Sequence, residues 1–260
     1  VLNAPKPLSL LAALGVSAPS GSNPGALTLA GRLTGNGDRL ENMLEGTLGQ
    51  GRYSLRGVLQ PGSDPIAFEQ SVELRHPDAR ALVQSFGSGA DSTAGIALPL
   101  DLASTLRGTS REGRADKLSM KLGANEVKGS LVYEMGDRPT LEAELYAGEL
   151  DLAVLSALGG AGSEADQAAS GKVDNSKKEG QERWSDEAID LAALQAYDGR
   201  LTLTADHLVL GPYRLSDARV SAALRAGRLT LERLTGRSFG GRVSLTAVID
   251  ADGTPAISGD

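Results

Sequence analysis

From Arg200 to Ala205 the side chains alternate without a break, Leu201, Leu203 and Ala205 against Arg200, Thr202 and Thr204. The same two-residue period returns along most of the chain, for example as Val243, Leu245, Ala247 and Ile249. Helical faces recur at three and four residues, so a period of two makes the chain mainly β, with one apolar and one polar face. About thirteen strands pass this test of alternation. Turn residues separate them, at Gly35-Asn36-Gly37-Asp38, Gly136-Asp137, Ala226-Gly227 and Asp252-Gly253, and predict mostly antiparallel neighbours.

The alternation is itself repeated. Leu29-Ala30-Gly31-Arg32-Leu33 aligns with Leu102-Ala103-Ser104-Thr105-Leu106, Leu48-Gly49 with Leu122-Gly123, and Gly57 with Gly129. Asp78 and Asp151, 73 residues apart, each open a short helical pattern, Asp78–Phe86 and Asp151–Leu158, and Asp190–Tyr197 gives a third. In each, the Asp stands where an N-cap accepts free backbone N–H groups, and apolar side chains four and seven or eight residues later share a face. Pro7, Leu11 and Leu14 form a weaker copy. The expectation is a repeat-built, mostly antiparallel curved sheet, an extended groove or solenoid, with short helices at repeat boundaries. Thirteen strands at about 4.8 Å spacing make a sheet some 60 Å long.

The stretch 159–183, GGAGSEADQAASGKVDNSKKEGQER, follows neither period. Its only branched apolar residue is Val173, a composition that predicts a disordered linker. It divides the chain into 1–158, holding two repeats of about 73 residues, and 184–260. The chain starts at Val1 with no basic flank before an apolar segment, so it reads as a portion of a longer protein. Its best apolar run, Leu8–Ala18, is interrupted by Ser9, Gly15 and Ser17 and falls short of the 18 or so residues of a membrane span.

Chemistry-bearing residues are sparse. With no cysteine there is no disulfide, Cys-ligated metal or thiol nucleophile. The net charge of −7 argues against a nucleic-acid binder. His76 and His207 lack ligand-spaced partners and read as ordinary surface or turn residues, His207 between two strands. Gly49-Gln50-Gly51-Arg52-Tyr53-Ser54 starts like a dinucleotide fingerprint but lacks the third glycine and runs into a strand. Asp250-Ala251-Asp252-Gly253 lacks the further acids of a calcium loop, no G-x-S-x-G elbow occurs, and Glu142 and Glu144 alternate as solvated strand carboxylates. No catalytic residue, metal site or cofactor is expected. What remains is the Leu/Val/Ala face, either the core between two stacked sheets or the wall of an open trough for acyl chains.

Residues 184–260 weigh between the two. Trp184-Ser-Asp-Glu-Ala-Ile-Asp-Leu-Ala-Ala-Leu194, Asp198-Gly-Arg-Leu-Thr-Leu-Thr-Ala-Asp206, Tyr213-Arg-Leu215, Ala226-Gly-Arg-Leu-Thr-Leu231 and Phe239-Gly-Gly-Arg-Val243 together resemble the C-terminal region of AsmA family proteins. Residues 1–158 share only the strand-rich repeat texture. The resemblance implies a non-enzymatic protein of the Gram-negative envelope, periplasmic and tethered to the inner membrane by a segment absent here, with a role in outer-membrane biogenesis. It implies phospholipid or another acyl lipid as cargo, held in an apolar β groove, with envelope assembly proteins as further partners. The groove candidates are Leu201, Leu203, Leu215, Val220, Leu229, Leu231, Val243 and Leu245. The alternative is an envelope scaffold with a closed core and no lipid.

Overall fold

The computed structural model describes residues 2–4, 25–85, 97–156, 197–249 and 255–259. The run Leu8–Ala18, the linker 159–183, the stretch Trp184–Leu194, the helical pattern from Asp190 and the turn Asp252-Gly253 lie outside them, apart from Tyr197. After the short β1 (Leu2–Ala4), four strands follow as β2 (Leu27–Gly35), β3 (Leu40–Leu48), β4 (Gly51–Gln60) and β5 (Ala67–His76), closed by helix α1 (Ala79–Ser85). A second set follows as β6 (Leu100–Thr109), β7 (Glu112–Leu122), β8 (Asn125–Glu134) and β9 (Thr140–Asp151), closed by α2 (Leu152–Ser156). The chain continues as β10 (Asp198–Leu210), β11 (Tyr213–Arg225), β12 (Arg228–Ser238), β13 (Gly241–Ile249) and β14 (Pro255–Gly259).

All fourteen strands lie in one sheet, in chain order. It is curved and not closed into a barrel. Every neighbouring pair is antiparallel except β9 and β10, which run parallel with Thr140 opposite Asp198 and Leu145 opposite Leu203. Asp198 fixes that joint: its N–H donates to the Pro139 carbonyl at 2.9 Å, and its carboxylate takes Arg138 at 3.0 Å and the Ala226 N–H at 2.8 Å. The described residues therefore form one layer, and no second sheet stacks on the apolar face as one of the two sequence readings had it.

The helix openers behave as the sequence predicts. The Asp78 carboxylate accepts the N–H of Arg80 at 3.1 Å and of Leu98 at 3.2 Å, and Asp151 accepts that of Ala153 at 2.9 Å. Corresponding turns match as well: Gly49 and Gly123 share φ 58° and donate to the carbonyls of Ala26 and Pro99. A side chain at either position would sit in the left-handed region that glycine tolerates.

Both histidines depart from their expected places. His76 is buried at the end of β5, where Nδ1 accepts the Asp78 N–H at 3.0 Å, and not on the surface. His207 stands inside β10 and not between two strands. The reason is a one-residue slip of the alternation. Ala205 and Leu208 are both buried in the same cluster, three residues apart, as are Ala147 and Leu150 on β9 and Leu215 and Ala218 on β11. Because three adjacent strands slip at the same level, the pairing of Ala205 with Ala218 and His207 with Ser216 is undisturbed. Asp217 absorbs the slip on β11 with φ 54°.

Candidate functional site

The register sorts the sheet into two faces. On the polar one, several partners across strands are of opposite charge: Arg107 meets Glu69 at 3.1 Å, Arg75 meets Asp101 at 3.3 Å, and Lys121 meets Glu126 at 3.5 Å. A hydrogen bond from Lys128 at 2.8 Å, helped by Lys121, holds the Glu126 carboxyl below its usual range and lifts the Lys128 ammonium above its own. The Tyr146 hydroxyl donates to Asp206 at 2.7 Å, which raises its pKa. Such exposed pairs contribute little to stability individually, so their main effect is to keep this face wetted. Glu142 and Glu144 are exposed on it, as expected of solvated carboxylates. Hollows on this face are charged; one of about 520 Å³ is lined by Glu45, Arg52, Arg56, Glu73 and Arg75 among others.

The other face is an apolar track that crosses the strands. One row runs Leu145, Leu203, Val220, Leu234, Leu245 from β9 to β13, and the next runs Ala143, Leu201, Ala222, Leu231, Ala247. A third sets Leu224 opposite Leu229. The same face continues toward β2 through Val127, Met120, Leu102, Leu74 and Tyr53. Each neighbour lies about 4.8 Å from the next, close enough for successive aliphatic side chains to touch.

The eight sequence candidates all fall on this track, at different depths. Leu203 and Leu215 are 7% and 5% exposed and belong to the main cluster with Val127, Ala147, Leu150, Ala205, Leu208 and Ala218. Leu201, Val220 and Val243 are half-buried against that cluster. Leu229, Leu231 and Leu245 are half-buried beyond it. With a single layer, the cover over the cluster comes from the curvature of the sheet and from α2, whose Leu152 and Leu155 pack on it. Away from α2 the face opens, until Leu141 on β9 is 44% and Leu33 on β2 59% exposed.

Two features of the track have no signal in the alternation. Asn42 on β3 and Gln70 on β5 are 7% and 8% exposed and exchange amide hydrogen bonds of 2.9 and 2.8 Å. Gly57 of β4 lies between them in register, and its missing side chain leaves room for the amides to meet across the intervening strand. A Cβ there would also lie 1.9 Å from the Glu69 carbonyl oxygen. Tyrosines bridge strands in the same manner. Tyr53 stands opposite Gly46 and donates to the Thr28 carbonyl at 2.8 Å; Tyr133 stands opposite Gly113 and donates to the Thr109 carbonyl at 3.1 Å. Burial raises the pKa of both phenols. Glycine recurring within strands was the available clue.

The described residues contain no group of three or more His, Asp or Glu placed to hold a metal, and no helix long and apolar enough to cross a membrane. What the geometry offers is a continuous apolar surface backed by a charged one. A family model, that of the AsmA family, matches residues 88–258, more than half of the chain. The chain belongs to the AsmA family. The matched span starts well before Trp184, so the AsmA assignment covers β6–β9 as well as the C-terminal strands that carry the sequence resemblance. No curated protein and no solved structure matches the chain. Membership in AsmA associates it with the bacterial envelope.

Proposed function

We propose that this AsmA-family chain is a non-enzymatic lipid carrier of the envelope that holds phospholipid acyl chains along its apolar track, within the periplasm and tethered to the inner membrane through a segment outside this sequence, in the service of outer-membrane biogenesis. The observation that carries the reading is the single-layer sheet with half-buried Leu201, Leu229, Leu231 and Leu245 side by side on one face. A face of this kind, left without a second sheet, retains apolar surface that an acyl chain covers. Each methylene moved from water onto it gains about 0.8 kcal/mol. Successive rows present equivalent Leu and Val side chains, so an acyl chain slides between them with little change in energy, while its head group stays in water.

The test is native mass spectrometry of the purified chain from a lipid-containing host, with extraction of whatever is bound. Phospholipid at one or more per chain is the expected result. A protein that is lipid-free after mild purification contradicts the proposal and favours an envelope scaffold that works through protein contacts alone. Because Leu203 lies in the main cluster, Asp there disrupts folding; Leu231→Asp, on the half-buried row, is the informative variant. It is expected to keep its circular dichroism spectrum and lose its lipid.

A further inference from the structure

The hairpin that joins β12 to β13 turns through Phe239 and Gly240, both with positive φ, 50° and 79°. A two-residue turn of this kind favours Asn, Asp and Gly, since a bulky side chain is strained in the left-handed region. The ring gains no packing in return: Phe239 is 91% exposed, the most exposed large hydrophobic side chain among the described residues. The turn between β11 and β12 takes the same conformation with Ala226 and Gly227, at φ 51° and 81°, so the backbone has no need of an aromatic. The ring at position 239 therefore serves something outside the fold.

Its surroundings indicate what. Arg237 and Arg242 stand directly opposite each other two residues behind the tip, both exposed and with no ion pair among the described residues. Like charges in register repel, so an anion bound between the two guanidinium groups relieves the pair. On the adjacent strand the Arg214 carbonyl accepts the Ser238 hydroxyl at 3.1 Å, and Tyr213, 57% exposed, follows the turn Gly211-Pro212 at the same end of the sheet. Although the chain carries −7 overall, residues 197–249 hold eight arginines, no lysine and four acids. Arginine binds phosphate oxygens with two parallel N–H groups, which lysine does not.

We propose that the β12–β13 tip docks on an anionic phospholipid surface, with Phe239 at the boundary between head groups and acyl chains and Arg237 and Arg242 on the phosphates behind it. An aromatic tip with cations set back from it matches the layering of that interface. A two-residue tip is too small for a stable protein interface, which buries roughly 800 Å² on each partner. This inference goes beyond the acyl-chain reading and stands without it.

The experiment is flotation of the whole chain with vesicles of phosphatidylcholine and phosphatidylglycerol at 3:1, against phosphatidylcholine alone, in low salt. Phe239→Asn keeps a residue that suits the turn and is expected to melt no lower than the parent, yet to float at least fivefold less. Arg237→Gln with Arg242→Gln loses a similar factor, and the indole introduced by Phe239→Trp shifts its emission to the blue on adding the anionic vesicles. Undiminished flotation of Phe239→Asn overturns the proposal, as does equal binding to both vesicles, which would assign contact to the apolar face. An unshifted emission from the introduced indole overturns it too, and would leave a protein partner as the tip's target. Phe239→Asn should retain any lipid seen by native mass spectrometry, so the two readings fail separately.

Discussion

The strands β2–β5 and β9–β11 belong to one sheet with the same two faces, yet they bury opposite kinds of side chain. In β2–β5 the buried side chains are Asn42, Gln70 and His76, all polar; in β9–β11 they are Ala147, Leu150, Leu203, Ala205, Leu208, Leu215, Ala218 and Ala223, all apolar. The local alternation of the two regions is alike, and the difference comes from what covers the face. Next to α2 and the three-strand slip, leucines are shut away from water. In β2–β5 they remain half-buried or, at Leu33, exposed, and a buried amide pair ties three strands together. The two-residue period decides which face is apolar; curvature and cover decide how dry it is.

Truncation separates the two regions most widely. Leu208→Ala is expected to cost about 3 kcal/mol, because it leaves a cavity in the best-covered cluster. Leu55→Ala, half-buried on β4, should cost about 1 kcal/mol, because its surface is already partly wet. Urea unfolding of the two variants checks the difference, and hydrogen exchange should show β2–β5 amides opening before those of β9–β11. Equal losses would mean that the two regions are equally well covered.

Asn42→Ala acts on the wetter region alone. The Gln70 amide loses its main partner in a buried place, at a cost of about 2 kcal/mol. Replacing both, Asn42→Leu with Gln70→Leu, should come within about 1 kcal/mol of the parent, since two satisfied amides are exchanged for two apolar groups. A double variant as damaged as the sum of the singles would show that the pair fixes the register of β3–β5 as well as satisfying itself.

A smaller effect belongs to β2–β5 and recurs outside β9–β11, on β8. Tyr53 and Tyr133 each cross a glycine strand, and burial raises both phenol pKa values above 10.0. Below the unfolded value both states are neutral and the stability is fully present; as pH rises further, the unfolded chain ionises first and stability is lost. Thermal melts should therefore fall in temperature as pH rises past 10.0, the ordinary phenol value. Tyr53→Phe lowers neutral-pH stability by about 1 kcal/mol for the lost hydrogen bond, and flattens part of the alkaline fall.

Much of this architecture was legible in the sequence because it is local. Alternation gave the two faces, Asp78 and Asp151 the helix starts, and paired turn residues the antiparallel neighbours. Alternation broke down at His207, where a slip shared by β9, β10 and β11 looks, within a single strand, like the end of one strand and the start of another. The Asn42–Gln70 pair was hidden for a related reason. Two polar residues 28 apart on an apolar face look like errors of pattern until Gly57 is seen between them. The parallel joint of β9 and β10 depends on where the chain re-enters the sheet, which no local pattern encodes. All eight groove candidates lay in the C-terminal strands, where the family likeness drew attention, although the track extends back through Leu102, Leu74 and Leu55.

The most direct test of an acyl track is photocrosslinking in the lipid-containing host, with benzoylphenylalanine placed in turn at Leu231 and Leu55 on the apolar face and at Glu232 and Glu69 on the polar one. An acyl chain held on the apolar face gives phospholipid adducts at Leu231 and Leu55 and none at the two glutamates. Adducts absent from both faces, or equal on both, would contradict it.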